Sequence, residues 1–101
     1  MDLSIILPAF NEENRILHTL ENSLQFLESR PWSYELIVVD DGSADGTAEA
    51  VRNVHGKTTS VFCLMNGQNR GKGYSVRHGV NNARGSVVGY MDADYKTDIA
   101  G

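Results

Sequence analysis

Four short apolar runs, at residues 3–7, 35–39, 61–65 and 87–91, set what this chain can fold into. Each is too short for a buried helix, and three are rich in Val and Ile, which suits extended backbone. Their near-continuous apolarity implies strands covered on both faces, as in a parallel sheet. Helical patterns fill the gaps. Ile16, Leu17, Leu20, Leu24 and Leu27 recur at helical spacing. Asn11 is expected as the cap, Glu12 and Glu13 suit the positive first turn, and Pro31 lies beyond the end. A shorter helix is expected over residues 47–54 with Ala48 and Val51 inward. A third is expected over 73–83, with Val76, Val80 and Ala83 on one side and Gly85 as its stop. The order βαβαβαβ predicts an α/β, Rossmann-like three-layer fold of four mainly parallel strands with helices on both faces.

The chain has 101 residues, one domain at most, and 41% of them are hydrophobic, so a modest core is within reach. A net charge of −4 argues against a nucleic-acid partner and against an anionic membrane, leaving room for local basic patches. Cys63 is the single cysteine, which excludes a disulfide frame or a cysteine metal cluster. No apolar run approaches the roughly 18–20 residues of a membrane span. The first ten residues lack a basic flank and include Pro8, unlike a signal peptide. A cytoplasmic location is the expectation.

In parallel sheets, ligands bind beyond the carboxyl ends of the strands. Asn11, Glu12 and Glu13 follow the first run, and Asp40, Asp41, Ser43 and Asp45 follow the second. The glycine-rich stretch with Arg70 and Lys72 follows the third, and Asp92, Asp94 and Asp98 follow the fourth. Three strand ends deliver carboxylates and one delivers cations. Taken singly, each piece has a plain reading: helix-dipole partners, an acidic turn, a solvated basic loop. Asp92-Ala-Asp94 is harder to dismiss, because alternation turns both carboxylates to one side. Carboxylates converging there would repel unless a hard cation such as Mg2+ or Mn2+ sat between them, its shell completed by substrate phosphates. Neither G-x-G-x-x-G after the first run nor G-x-x-x-x-G-K-[ST] is present, so pyrophosphate is not held in either backbone cradle. A bridging metal would hold it instead. Asp40 can accept from a base N–H, and Phe10 offers an apolar face.

Pro8-Ala-Phe-Asn-Glu-Glu13, the stretch from Val38 to Thr47 (VVDDGSADGT) and Met91-Asp-Ala-Asp94 together resemble the family 2 glycosyltransferases of GT-A fold. The run from Asn69 to Gly79 (NRGKGYSVRHG), followed by Ala83-Arg-Gly85, is similar to the branch that makes polyprenyl-phosphate sugars. It looks nearer to dolichyl-phosphate glucosyltransferases than to mannose-phosphate synthases, which usually carry leucine where this chain has Lys72. The resemblance implies that Pro8, Phe10, Glu12, Val38 and Asp40 line a nucleoside pocket. It implies Asp92 and Asp94 as metal and diphosphate ligands, Ala93 against the ribose, and Lys72 as a phosphate or sugar contact. Relatives often place Gln two residues after the second Asp, where this chain has Lys96, which cannot ligate while protonated.

The implied reaction is inverting transfer of a hexose from a nucleotide donor of UDP-glucose or GDP-mannose type to a lipid phosphate. Family domains are roughly twice this length. The chain is therefore expected to be the N-terminal donor-binding part, residues 1–101, inactive in transfer by itself. The fourth strand, lacking an outer neighbour, would leave an edge open to self-association. Three other readings compete. A receiver-type signalling domain would need its acid pair after the first strand, where Pro8 stands. A haloacid-dehalogenase-type phosphatase needs D-x-D-x-[TV], and Lys96 occupies the last place. A nucleotide- and metal-binding module without turnover keeps every motif named here.

Overall fold

A computed structural model describes residues 1–91 of the chain. Its strands are β1 (Leu3–Ala9), β2 (Tyr34–Asp40), β3 (Val61–Met65) and β4 (Val87–Tyr90). Helices α1 (Ile16–Glu28), α2 (Thr47–His55) and α3 (Lys72–Asn82) fall between them. All pairings are parallel, in one sheet of order β3-β2-β1-β4. The α/β fold with helices on both faces is the one the alternating runs imply.

The crossovers decide which face each helix covers. Steps from β1 to β2 to β3 run in one direction and place α1 and α2 together; the return step to β4 places α3 on the opposite side. The first face holds the larger core, where Leu7, Leu36, Val38 and Val61 meet Ile16, Leu20 and Val51. Ile6, Ile37 and Val39 form the smaller core under α3. Strand order reverses beside β1, with β2 on one side and β4 on the other. A crevice beyond the carboxyl ends is expected at such a reversal.

Four local expectations are corrected. The first helix starts at Ile16 with Arg15 at the N-cap position, and Asn11, at φ 52, lies in the loop before it. Asn11 is not its cap. Leu17 is 45% exposed, while Thr19 and Ser23 face inward beside Ile16, Leu20 and Leu27. On α3 the buried positions are Ser75 and Gly79, and Val80 is 45% exposed. The helix sits so close to β1 that a Cβ on Gly79 would lie 2.4 Å from Ile6 Cγ2. Finally, the described residues do not cover β4 on both faces: Val87 and Tyr90 are 62% and 56% exposed. Among the described residues it pairs with β1 alone.

At the amino edge a buried carboxylate ties the sheet together. Glu35, 2% exposed, accepts from Ser4 Oγ at 2.6 Å and from the Arg84 amide at 2.8 Å. The Arg84 guanidinium stands 3.3 Å from its other oxygen, and the Gly85 amide donates to Ser4 Oγ at 2.8 Å. Burial pushes the Glu35 pKa up, but the Ser4 hydroxyl and the Arg84 amide and guanidinium outweigh it and hold the group below its ordinary value.

Gly79→Ala should destabilise the protein by about 1–3 kcal/mol through overpacking against Ile6, read as a lower urea midpoint. Val80→Ser, at an exposed position, should stay within about 0.5 kcal/mol of the parent.

Candidate functional site

Two adjacent carboxylates at the end of β2 would repel if they shared one environment. Strand alternation separates them. Asp40 lies on the α1–α2 side of the sheet with Leu36 and Val38, and Asp41 turns to the α3 side. Both are buried, at 1% and 6% exposure. Asp41 is fully engaged: its Oδ1 accepts from the Arg70 amide at 2.7 Å and from Asn66 Nδ2 at 2.8 Å. Its Oδ2 accepts from the Gly71 amide at 3.0 Å. Burial raises the Asp41 pKa, but the Arg70 amide, the Asn66 side chain and the Gly71 amide overcome it and keep the group below its ordinary value.

Asp40 is different. Its Oδ2 accepts from the Ser43 amide at 3.2 Å. Its Oδ1 is buried without a hydrogen-bond partner among the described residues. A buried carboxylate oxygen without a donor is costly, so a ligand N–H reaching it would recover that cost.

The three loops at this edge are laced together. The Asn11 amide donates to Ser43 Oγ at 2.8 Å, and Asn11 Oδ1 accepts from the Ala44 amide at 2.9 Å. The Glu12 amide donates to Thr47 Oγ1 at 2.8 Å, and Asp45 Oδ1 accepts from the Thr47 amide at 3.0 Å. Gly42, at φ 75, packs directly on the third loop: a Cβ there would lie 2.4 Å from the Gln68 carbonyl carbon. Beneath that loop Asn66 donates to Ser75 Oγ and receives His78 Nδ1, each at 2.8 Å. With the Asn66 amide group turned to Asp41, its oxygen can only accept, so Nδ1 of His78 carries a proton.

The expected nucleoside residues are placed unequally. Pro8 is half-buried and Phe10 is 44% exposed at the mouth of the loops. Glu12 is half-buried and pairs with Arg15 at 2.6 Å. Val38 is wholly buried, its side chain in the α1–α2 core with Leu7 and Val51. Lys72 opens α3 at this edge, its Nζ 5.3 Å from the centre of the Tyr90 ring. Asp92, Ala93, Asp94 and Lys96 lie outside the described residues. Among the described residues no group of three or more His, Cys, Asp and Glu side chains is placed to hold a metal. Of the acids on the first two loops, Glu12, Asp41 and Asp45 are engaged locally.

Sequence reasoning missed Asn66 and the staple made by Asn11. An Asn directly after a strand and before a glycine is a signal for both a left-handed residue and a loop-ordering side chain. Cys63 is half-buried, and its thiol is pushed up by burial and by the charge of Asp40.

Residues 4–98 match the family model described as glycosyl transferase family 2. The chain belongs to that family. It is 38% identical over 103 residues to a dolichyl-phosphate beta-glucosyltransferase of Trichomonas vaginalis, covering 97% of this chain and 32% of that protein. A dodecaprenyl-phosphate galacturonate synthase of Rhizobium johnstonii is 33% identical, over 97% of this chain and 29% of its own length. The chain thus spans about a third of the curated relatives it matches. Among solved structures, the mannosyltransferase of Pyrobaculum calidifontis in complex with GDP-Man and Mn2+ aligns with a TM-score of 0.78. It is 28% identical, over 91% of this chain and 27% of that one. The fold is that of the GT-A glycosyltransferases.

Asp41 makes the site acid-sensitive in a definite sense. A carboxyl whose folded pKa is lowered contributes stability above its unfolded pKa and loses it as pH falls through the folded value. Stability should therefore drop below about pH 4. Asp41→Asn should cost about 1–3 kcal/mol at pH 7 and flatten that acid limb, with Glu35 supplying the rest. Urea midpoints from pH 7 to pH 3 read both effects.

Proposed function

We propose that residues 1–101 form the donor-binding part of an inverting hexosyltransferase that uses a nucleoside diphospho-sugar and delivers the sugar to a polyprenyl phosphate. The observation that carries the reading is the buried Oδ1 of Asp40, without a hydrogen-bond partner among the described residues, at the strand-order reversal. A base N–H is the neutral donor that suits it. Phe10, exposed beside it, offers a face for the base, with Pro8 and Glu12 on the same loop. Lys72, at the start of α3, is near enough to the edge to meet phosphate or sugar. The GDP-Man and Mn2+ bound by the Pyrobaculum mannosyltransferase support a nucleotide and a divalent cation here.

Asp92 and Asp94, with Ala93 between them, follow β4 in the sequence and would hold Mg2+ or Mn2+, whose charge favours departure of the diphosphate. Transfer forms a bond from an acceptor phosphate oxygen to the sugar anomeric carbon as the bond to the nucleoside diphosphate breaks. That oxygen is already an anion near neutral pH, so no general base is required. The lipid-phosphate acceptor is supported by the dolichyl- and dodecaprenyl-phosphate enzymes among the relatives. The reading puts the reaction at the cytoplasmic face of a membrane, and UDP-glucose is the preferred donor because glucosyltransferases lead the relatives. Those relatives are about three times as long, which supports donor binding without transfer by this chain alone.

Calorimetric titration with UDP and GDP in the presence of Mn2+ tests the donor site. Asp40→Asn should weaken binding by about 1–3 kcal/mol, and Asp94→Ala should abolish the metal requirement along with most of the affinity. Unchanged affinity in Asp40→Asn would reject the base contact. With radiolabelled UDP-glucose, polyprenyl phosphate and Mn2+, the 101-residue chain should form no glycolipid while the longer parent does. Robust product from the short chain would place the acceptor site within these residues.

A further inference from the structure

Charge is distributed very unevenly along this chain. The first 49 residues hold ten acids against Arg15 and Arg30, whereas no Asp or Glu occurs between Glu49 and Asp92. The fold sorts this asymmetry onto faces. Glu21, Glu28 and Glu49 are exposed on α1 and α2. On the α3 side Arg70, Lys72 and Arg77 are exposed, and the Arg84 side chain is 64% exposed. Among the described residues, the two acids turned to that side, Glu35 and Asp41, are buried.

Apolar and aromatic groups are interleaved with these cations. Tyr74, Val80, Val88 and Tyr90 are 38%, 45%, 39% and 56% exposed. Val88 pairs in register with Ser4 and Tyr90 with Ile6, which puts both on the α3 side of β4. Arg70 lies 5.0 Å from the Tyr74 ring centre, and Lys72 lies over Tyr90. Because α3 runs from the carboxyl edge to the amino edge, the stripe begins at the rim of the nucleotide site and extends the length of the sheet.

We propose that this face rests on an anionic lipid bilayer. Cations with apolar stems, tyrosines and exposed valines on one surface suit the headgroup region, where charge, amphipathic ring and aliphatic group each find a partner. A nucleic acid would use the cations and leave Val80 and Val88 in water. The acidic α1–α2 face is repelled by the same bilayer, so the electrostatic asymmetry of the molecule also sets its orientation. The proposal deepens the lipid-acceptor reading and rests on it in one respect: the Arg70–Lys72 rim would bring the donor site to the membrane surface.

The test is flotation of the purified 101-residue chain with phosphatidylcholine vesicles, with and without phosphatidylserine, at low and physiological salt. Binding should require phosphatidylserine and weaken with salt. Each surface cation is worth roughly fivefold, so Arg77→Ala should weaken binding about fivefold and the charge reversal Arg77→Glu about 25-fold. Circular dichroism should show both variants folded, and Val80→Ser should weaken binding without changing net charge. Glu21→Gln with Glu28→Gln, on the far face, should change binding less than Arg77→Ala does. Equal binding to both vesicle types, equal responses on the two faces, or equally tight binding to poly(U) would each overturn the proposal. Titration of UDP with Mn2+ on Arg77→Glu should match the parent. Vesicle binding without nucleotide binding would sink the donor reading alone, and the reverse would sink this one alone.

Discussion

Two buried carboxylates, both supplied by β2 or the residue that follows it, hold α3 at its two ends. Asp41 takes the Arg70 and Gly71 amides just before the helix, and Glu35 takes the Arg84 amide just after it. Between those ends, Asn66 adds hydrogen bonds to Ser75 and His78 of the helix. The helix lacks a side-chain cap hydrogen bond, and its inward positions are Ser75 and Gly79. Small inward residues allow close approach to β1 but bury little apolar area. The anchoring is therefore polar and directional. An anion before the first turn also complements the positive end of the helix.

The same arrangement explains how the site tolerates neighbouring acids. Alternation gives Asp41 to the helix and leaves Asp40 on the other face, so each carboxylate meets its own set of donors. Asp41 is saturated by backbone and amide donors, whereas Asp40 keeps one oxygen without a partner among the described residues. A polar group left in that condition is an expense for the free protein and an affinity for whatever donor arrives.

The strands were legible because apolar runs bounded by turn residues carry their own length and type. All four formed at the expected places, within two residues at either end. Helix faces were less legible. Leu17 and Val80 sit at helical spacing yet face solvent, since which apolar position turns inward depends on how closely the helix approaches the sheet. Gly79 against Ile6 sets that distance for α3, and a glycine announces no such contact in sequence. Asn11 was misread for a related reason. Its side chain suits a cap, but its partners, Ser43 and Ala44, lie across the sheet edge more than thirty residues away. The family motifs put their residues at the carboxyl edge, yet they do not distinguish the wholly buried Val38 from the exposed Phe10, because burial at a strand end is a property of the neighbouring loops.

The sorting of charge follows from topology as much as from composition. A parallel sheet whose first two crossovers lie on one face and whose third lies on the other assigns whole segments of sequence to opposite sides. Acids concentrated before residue 50 thus populate the α1–α2 face, and the acid-free stretch that follows supplies α3 and β4. A net charge of −4 describes neither face. Glu35 of β2 and Asp41 just after it, on the α3 side, are both withdrawn from solvent into anchoring roles, so the contacts that fix α3 also leave its outer surface basic among the described residues. Position in the chain, handedness of crossover and the burial of Glu35 and Asp41 therefore produce one result: a loop-laced carboxyl edge with a cationic flank beginning at its rim.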